Sequence, residues 1–202
     1  MGRIEVGVAA TMLSGQSETG DQYVVKEFPR GVLISVVDGL GHGSAAAAAA
    51  RLACSVMDAH SEEPVVSLVR RCHRALHGTR GAVMSLASFD AAESTLTWIG
   101  VGDVQGILLR SDPDRAPAYE SLLLRRGVVG AQLSELAAAK LAVDAGDMLL
   151  FLTDGIEPGA DWRAELRSGT APQAAAERIL GRHARGSDDG LVLVARYKGG
   201  GP

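Results

Sequence analysis

Val32-Leu33-Ile34-Ser35-Val36-Val37-Asp38-Gly39 is an apolar run that stops on a carboxylate and is followed at once by glycine. Much later the chain repeats the wording: Met148-Leu149-Leu150-Phe151-Leu152-Thr153-Asp154-Gly155. A buried β-strand that ends on a carboxylate holds that group rigidly at the sheet edge. The glycine then lets the backbone turn sharply or approach a ligand closely. Two such ends from distant parts of the chain, facing each other, would hold a divalent metal between them.

Around these two runs the sequence reads as strands grouped in hairpins. Arg3 to Leu13, Tyr23 to Phe28 and Val32 to Val37 are strand-like, and Pro29-Arg30-Gly31 is a short turn that makes the last two a hairpin. After Gly43 the alanine run Ala45 to Ala50 leads on to Met57, a strong helix former with Ser44 as its expected N-cap. A second helix is expected over Pro64 to His77, where Val65, Leu68, Val69, Cys72 and Leu76 are spaced for one buried face. Strands follow at Ala82 to Phe89, Thr95 to Val101, Val104 to Leu109, Ser121 to Leu124 and Met148 to Leu152, then a helix over Ala171 to His183 and a strand over Leu191 to Tyr197. Hairpins of strands with paired helices predict an antiparallel α+β layered fold rather than a doubly wound βαβ one. The Gly199-Gly200-Gly201-Pro202 tail reads as disordered.

Composition narrows the function classes. A chain of 202 residues is expected to form one domain with a sizeable core. Its net charge of −4 gives no electrostatic case for binding nucleic acid. Met1 to Leu13 lacks the basic start and long apolar stretch of a signal peptide, and no segment is suited to spanning a bilayer. A cytoplasmic location is the expectation, with Cys54 and Cys72 as buried thiols in helices rather than a disulfide framework.

Four acidic sites stand beside predicted strand ends: Gly20-Asp21, Asp38-Gly39, Asp154-Gly155 and Asp188-Asp189. All-oxygen ligands favour hard ions such as Mg²⁺ or Mn²⁺ over Zn²⁺, and no His or Cys cluster offers zinc spacing. A single Asp-Gly often does no more than cap a turn. Four such sites at the edges of one sheet favour a metal centre.

The order and wording of these sites resemble the metal-dependent serine/threonine phosphatases of the PP2C superfamily, in particular the bacterial SpoIIE/RsbU/RsbX branch. Thr19-Gly20-Asp21-Gln22-Tyr23, Val37-Asp38-Gly39-Leu40-Gly41-His42-Gly43, Gly100-Val101-Gly102-Asp103, Leu152-Thr153-Asp154-Gly155 and Ser187-Asp188-Asp189 carry the resemblance. The Asp-Gly-x-Gly-His-Gly stretch before small helix formers is its most specific part. A chain of this length leaves no room for an added sensor domain, which makes it most similar to the RsbX type.

The resemblance implies an αββα sandwich of two antiparallel sheets flanked by helices, with the metal site in a cleft at one end. It implies two Mn²⁺ or Mg²⁺ ions and hydrolysis by a two-metal-activated water. By resemblance Asp38 would bridge the metals, the Gly39 carbonyl would join one of them, and Asp154 and Asp188 would hold the second. Asp21 would sit near the first metal, so Asp21 and Asp38 are the candidate catalytic residues. Asp103 matches a residue that in relatives contributes to a third, weaker metal site, and Asp189 would support the ligands from behind. The implied substrates are phosphoserine or phosphothreonine on STAS-domain regulators of bacterial stress responses.

The chain departs from the pattern in places. Leu40 stands where many eukaryotic relatives carry a histidine that is a candidate general acid, and His42 reads as a loop-ordering residue. Ser14-Gly15-Gln16-Ser17 lacks the phosphate-gripping arginine of eukaryotic relatives. Ile156-Glu157-Pro158 brings an acidic residue one place early, which counts against the third metal site, and the loop Gly127-Val128-Val129-Gly130 lacks the family's common proline. A dinucleotide fingerprint fails because Ser44 stands at its third glycine and a carboxylate precedes the first. The remaining alternative is a catalytically weak or inactive scaffold of the same fold that binds phosphoproteins. Retention of Asp38, Asp154 and Asp188 together argues against it.

Overall fold

The strand β3 (Gly31–Gly39) is buried along its whole length except at Asp38, which is half-buried. Such a run needs neighbours on both edges and cover on both faces. Residues 4–112, 114–157, 162, 165, 166 and 169–199 are described by the computed structural model. In it β3 pairs with β2 (Asp21–Phe28) and β4 (Ala82–Asp90). β4 in turn pairs with β5 (Thr95–Val101), and β5 with β11 (Ala139–Ala142), all antiparallel.

The second sheet is built around β12 (Met148–Leu152), every residue of which is buried. It lies between β13 (Gly190–Tyr197) and β6 (Gln105–Leu109), with β1 (Ile4–Thr11) and β7 (Tyr119–Ser121) at the edges. Helices α1 (Ser44–Ala59) and α2 (Val65–Ala75) pack on the first sheet, and α3 (Pro172–His183) packs on β1 and β13 of the second. The layers are therefore helix, sheet, sheet, helix, which is the expected αββα sandwich.

Three apolar clusters fill the gaps between these layers. Met57, Leu68, Val69 and Leu86 belong to the one under α1 and α2. Ile34, Val36, Phe151 and Leu193 belong to the one between the sheets, and Leu150, Ile179 and Val194 to the one under α3. Burying a Leu or Phe side chain contributes about 1.5–3 kcal/mol, so the strands' apolar runs are what fix the layering. At one end the sandwich is sealed: the rings of Phe89 and Tyr197 stack across the sheets with centroids 5.8 Å apart. Near it Arg110 pairs with the buried Asp147 at 2.9 Å. The carboxylates gather at the other end.

Several expectations need correction. Ser44 is the first residue of α1, not its N-cap; Gly43 holds that place, with φ 75° and no side-chain cap. The reason is packing. The helix comes so close to β3 that a Cβ on Gly39 would overlap the Ala46 carbonyl oxygen, and a left-handed Gly43 makes the required swing. The strand expected over Ser121 to Leu124 is divided: Tyr119–Ser121 is β7 in the second sheet, while β8 (Leu124–Arg125) pairs with β5. That pairing is parallel, so the first sheet is not purely antiparallel. The short strands β9 (Gly127–Val128) and β10 (Gln132–Leu133), which form a separate ribbon, have no counterpart in the sequence reading, and neither does β11. Such short strands leave no period-2 signal. Beyond Gly199 the expected disordered tail lies outside the described residues.

Candidate metal centre

Register brings the first two carboxylates together. The hairpin closes Phe28 against Gly31, and counting back along the ladder puts Asp21 directly opposite Asp38. Directly opposed residues on one face have Cβ atoms about 4.5–5.5 Å apart, so two like charges face each other. Asp21 is 4 % exposed. The second sheet supplies Asp154 from the turn after β12, and Asp188 and Asp189 from the lead into β13. Asp103 comes from the turn between β5 and β6.

All six of these aspartates line one cleft of about 400 Å³. Leu40, His42, Val83 and the Gly127-Val128 ribbon form other parts of its wall. Gly39 is buried behind the loop and is not among the lining residues. Glu157 stays outside too, its N–H donating to the His183 carbonyl at 2.9 Å.

The two Asp-Gly glycines serve a different purpose from a sharp turn. Neither Gly39 nor Gly155 has a left-handed φ. A Cβ on Gly155 would overlap the Asp189 carbonyl oxygen, just as one on Gly39 would overlap that of Ala46. Each glycine thus lets another backbone segment lie against a strand end. True left-handed backbone occurs at Gly41 (φ 83°) and Gly102 (φ 94°), which carry the two loops at the cleft mouth.

The electrostatics of the cleft call for a cation. Burial, and then the charges of Asp21, Asp154, Asp103 and Asp188, push the Asp38 carboxyl up to about 8. Burial also pushes Asp21 up to about 7, against a hydrogen bond from Thr153, with Asp189, Asp154 and Asp188 adding to the rise. Asp154 is raised as well, by burial first and then by Asp103 and Asp188, while Arg185 opposes. Clustered carboxylates without a counter-charge are costly, and a divalent cation removes that cost.

Among the described residues no three His, Cys, Asp or Glu side chains form a compact cage for a metal. Mg²⁺ keeps several of its waters and uses only one or two carboxylates. The all-oxygen donor set, spread around an open cleft, fits such an ion and not Zn²⁺.

Asp189 differs from the others. It is buried, and its two oxygens accept the N–H groups of Leu13 and Gly20, both at 2.7 Å. Its carboxylate is occupied in tying the loop before β2 to the lead of β13.

A model of one protein family, stage II sporulation protein E (SpoIIE), matches residues 29–198. The chain belongs to the SpoIIE family of PP2C-fold phosphatases. It shares 27% identity over 157 residues with the phosphoserine phosphatase RsbX of Bacillus subtilis (strain 168), covering 77% of this chain and 75% of that one. One solved chain comes from work on the bacterial stressosome, described as a modular system adapted to control secondary messenger signalling. It is 30% identical, with TM-score 0.88, over 96% of this chain and 99% of its own. The crystal structure of RsbX in complex with magnesium gives TM-score 0.85 at 23% identity, over 96% of this chain and 94% of that one. As a member of this SpoIIE family the chain is a metal-dependent protein phosphatase, and its αββα fold is the PP2C fold.

Within that SpoIIE-family frame the surroundings of the cleft include Thr153, to which the sequence assigned no role of its own. Thr153 is buried, and its hydroxyl donates to Asp21 Oδ2 at 2.7 Å. Its place inside the quoted Leu-Thr-Asp-Gly run was the only available signal. Gly127 and Val128 line the cleft although their loop lacks the expected proline. Two arginines approach from outside. Arg80 Nη1 would stand 2.6 Å from a Cβ on Gly41, and Arg185 acts on Asp154 by charge. Neither is marked in sequence, because folding alone brings them to the cleft.

Proposed function

We propose that the chain is a Mn²⁺- or Mg²⁺-dependent protein serine/threonine phosphatase. It acts as one domain over residues 1–202, in the cytoplasm, on phosphoserine or phosphothreonine of phosphorylated STAS-domain stress-response regulators. The observation that carries this reading is the meeting of Asp21 and Asp38, in register on one sheet, with Asp154 and Asp188 from the other, around one cleft. The similarity to a phosphoserine phosphatase, RsbX, supports the substrate class.

In this reading Asp38 would bridge two ions, with the Gly39 carbonyl joining one of them. Asp154 and Asp188 would hold the second, and Asp21 would sit beside the first. Paired divalent ions lower the pKa of water toward neutrality and neutralise phosphoryl oxygens, which suits one of the slowest uncatalysed hydrolyses.

The chain's own residues provide the rest. Leu40, Val83 and Val128 contribute apolar surface to the lining of the cleft. Among the described residues neither serine nor cysteine lines it, so neither of those side chains is placed as a nucleophile. Burial pushes the Cys54 and Cys72 thiols up to about 12, which leaves no thiolate nucleophile in the helix layer.

The test is phosphate release from a phosphoserine STAS protein, with and without Mn²⁺, for wild type, Asp38→Asn and Asp154→Asn. Metal-dependent turnover lost in both variants is the expected result. Metal binding without turnover on several phosphoproteins would make the chain a scaffold. Absence of metal binding would overturn the reading altogether.

A further inference from the structure

We propose that Thr153 is a positioning residue: its hydroxyl clasps the two sheets across the cleft and sets Asp21 for cation binding. The inference rests on the metal-dependent reading above and goes beyond it by assigning a task to a residue outside the ligand set.

Thr153 lies between β12 and Asp154 and is 1 % exposed. Its Oγ1 accepts the N–H of Leu191, the second residue of β13, at 2.8 Å. A threonine hydroxyl has one proton to give. With the Leu191 N–H on a lone pair, that proton is directed to Asp21 Oδ2 at 2.7 Å. Asp21 opens β2 in the first sheet, whereas Thr153 directly follows β12 and Leu191 lies in β13, both strands of the second. The chain Leu191 N–H, Thr153 O–H, Asp21 Oδ2 is therefore a bond between sheets at the open end of the sandwich.

Two consequences follow from this geometry. One Asp21 oxygen is already occupied, so the carboxylate is held in one orientation before any ion arrives. Asp21 is also fixed relative to the neighbour of Asp154, so the carboxylates of the two sheets are held in register with each other. Asp189 fastens the same junction from the loop side through Leu13 and Gly20. That contact joins a carboxylate to backbone, whereas the Thr153 bond reaches Asp21 through a side-chain hydroxyl. Partners that orient metal-binding groups are worth on the order of 10–100-fold in metal affinity.

Isothermal titration with Mn²⁺ alone, without substrate, tests the proposal on wild type, Thr153→Val and Thr153→Ser. Valine keeps the shape and removes the hydroxyl, and serine keeps the hydroxyl. Thr153→Val is expected to bind Mn²⁺ more weakly by on the order of 10–100-fold, and Thr153→Ser to stay within a few-fold of wild type. In an Asp21→Asn background the same valine change should have little further effect, because the two residues act as one unit. Melting curves in EDTA separate a structural role. If Thr153→Val melts earlier yet binds Mn²⁺ like wild type, or if Thr153→Ser loses as much affinity as valine, the proposal is overturned. Failure of wild type to bind Mn²⁺ is a different outcome and removes the metal-dependent reading itself.

Discussion

The ends of β3 and β12 carry the same sequence, aspartate then glycine after an apolar run, yet they hold their carboxylates in different ways. Asp38 is inside the ladder, half-buried and directly opposite Asp21, and its carboxyl is pushed up to about 8. Asp154 lies past the end of its strand, exposed on the turn, with Arg185 opposing its rise. The glycines differ in what they admit: Gly39 accommodates the first turn of α1, and Gly155 the lead into β13. A carboxylate fixed by strand pairing is rigid and desolvated. One carried on a turn is closer to water, and here a nearby arginine, Arg185, offsets part of its rise.

The largest expected effect separates ligand loss at the two ends. Asp38→Asn should lower Mn²⁺-dependent phosphate release on the order of 10²–10³-fold or more, and Asp154→Asn by less, since Asp38 would serve both ions and Asp154 one. Turnover rates at saturating Mn²⁺ check the order; a larger loss in Asp154→Asn would reverse the comparison.

Backbone packing is tested next. Gly39→Ala and Gly155→Ala each force a Cβ onto a carbonyl oxygen. Each should destabilise by about 1–3 kcal/mol, seen as a fall of about 2–4 °C in Tm per kcal/mol for a chain of this size. Similar losses at both ends would show that the shared glycine serves close packing in both; no loss at either would refute the packing account.

The third expectation concerns pH in metal-free protein. Asp21 and Asp38 have folded-state values of about 7 and 8, above the ordinary 3.8. Their contribution is thus fully present below about pH 4 and lost as pH rises through 7 and 8. In EDTA, Tm should fall between about pH 4 and pH 8 and level off above that. Asp38→Asn should flatten the upper part of that fall more than Asp154→Asn does. A wild-type Tm that holds steady across the range would contradict the buried-charge account.

The smallest effect is at Arg185. Removing a cation near Asp154 should tighten Mn²⁺ binding by about two- to fivefold, and less so at high salt. Titrations at two ionic strengths check both the sign and the screening; weaker binding in Arg185→Ala would contradict the sign.

Much of this architecture was legible in the chain. β5 and β12 have the bounds that their apolar runs announce, and α1 grows from the alanine run. The six aspartates quoted from the sequence line one cleft. Local pattern could not reach features that depend on distant partners. β8 consists of Leu124 and Arg125 alone, and it is a strand because β5 lies beside it. Ser44 looks like a cap by residue type, but the closeness of α1 to Gly39 moves the cap to Gly43. Thr153 reads as an ordinary strand-end threonine until Asp21, far away in sequence, accepts its proton.

The sequence by itself therefore determined which strands are buried and which of them end on carboxylates, because burial period and turn chemistry are properties of neighbouring residues. Only the tertiary structure decided which carboxylates of the two sheets meet and what holds them there. The register of one hairpin sets Asp21 against Asp38, and the packing of two sheets sets Thr153 against Asp21. The second of these contacts joins residues 132 apart in sequence, and no local stretch of the chain encodes it.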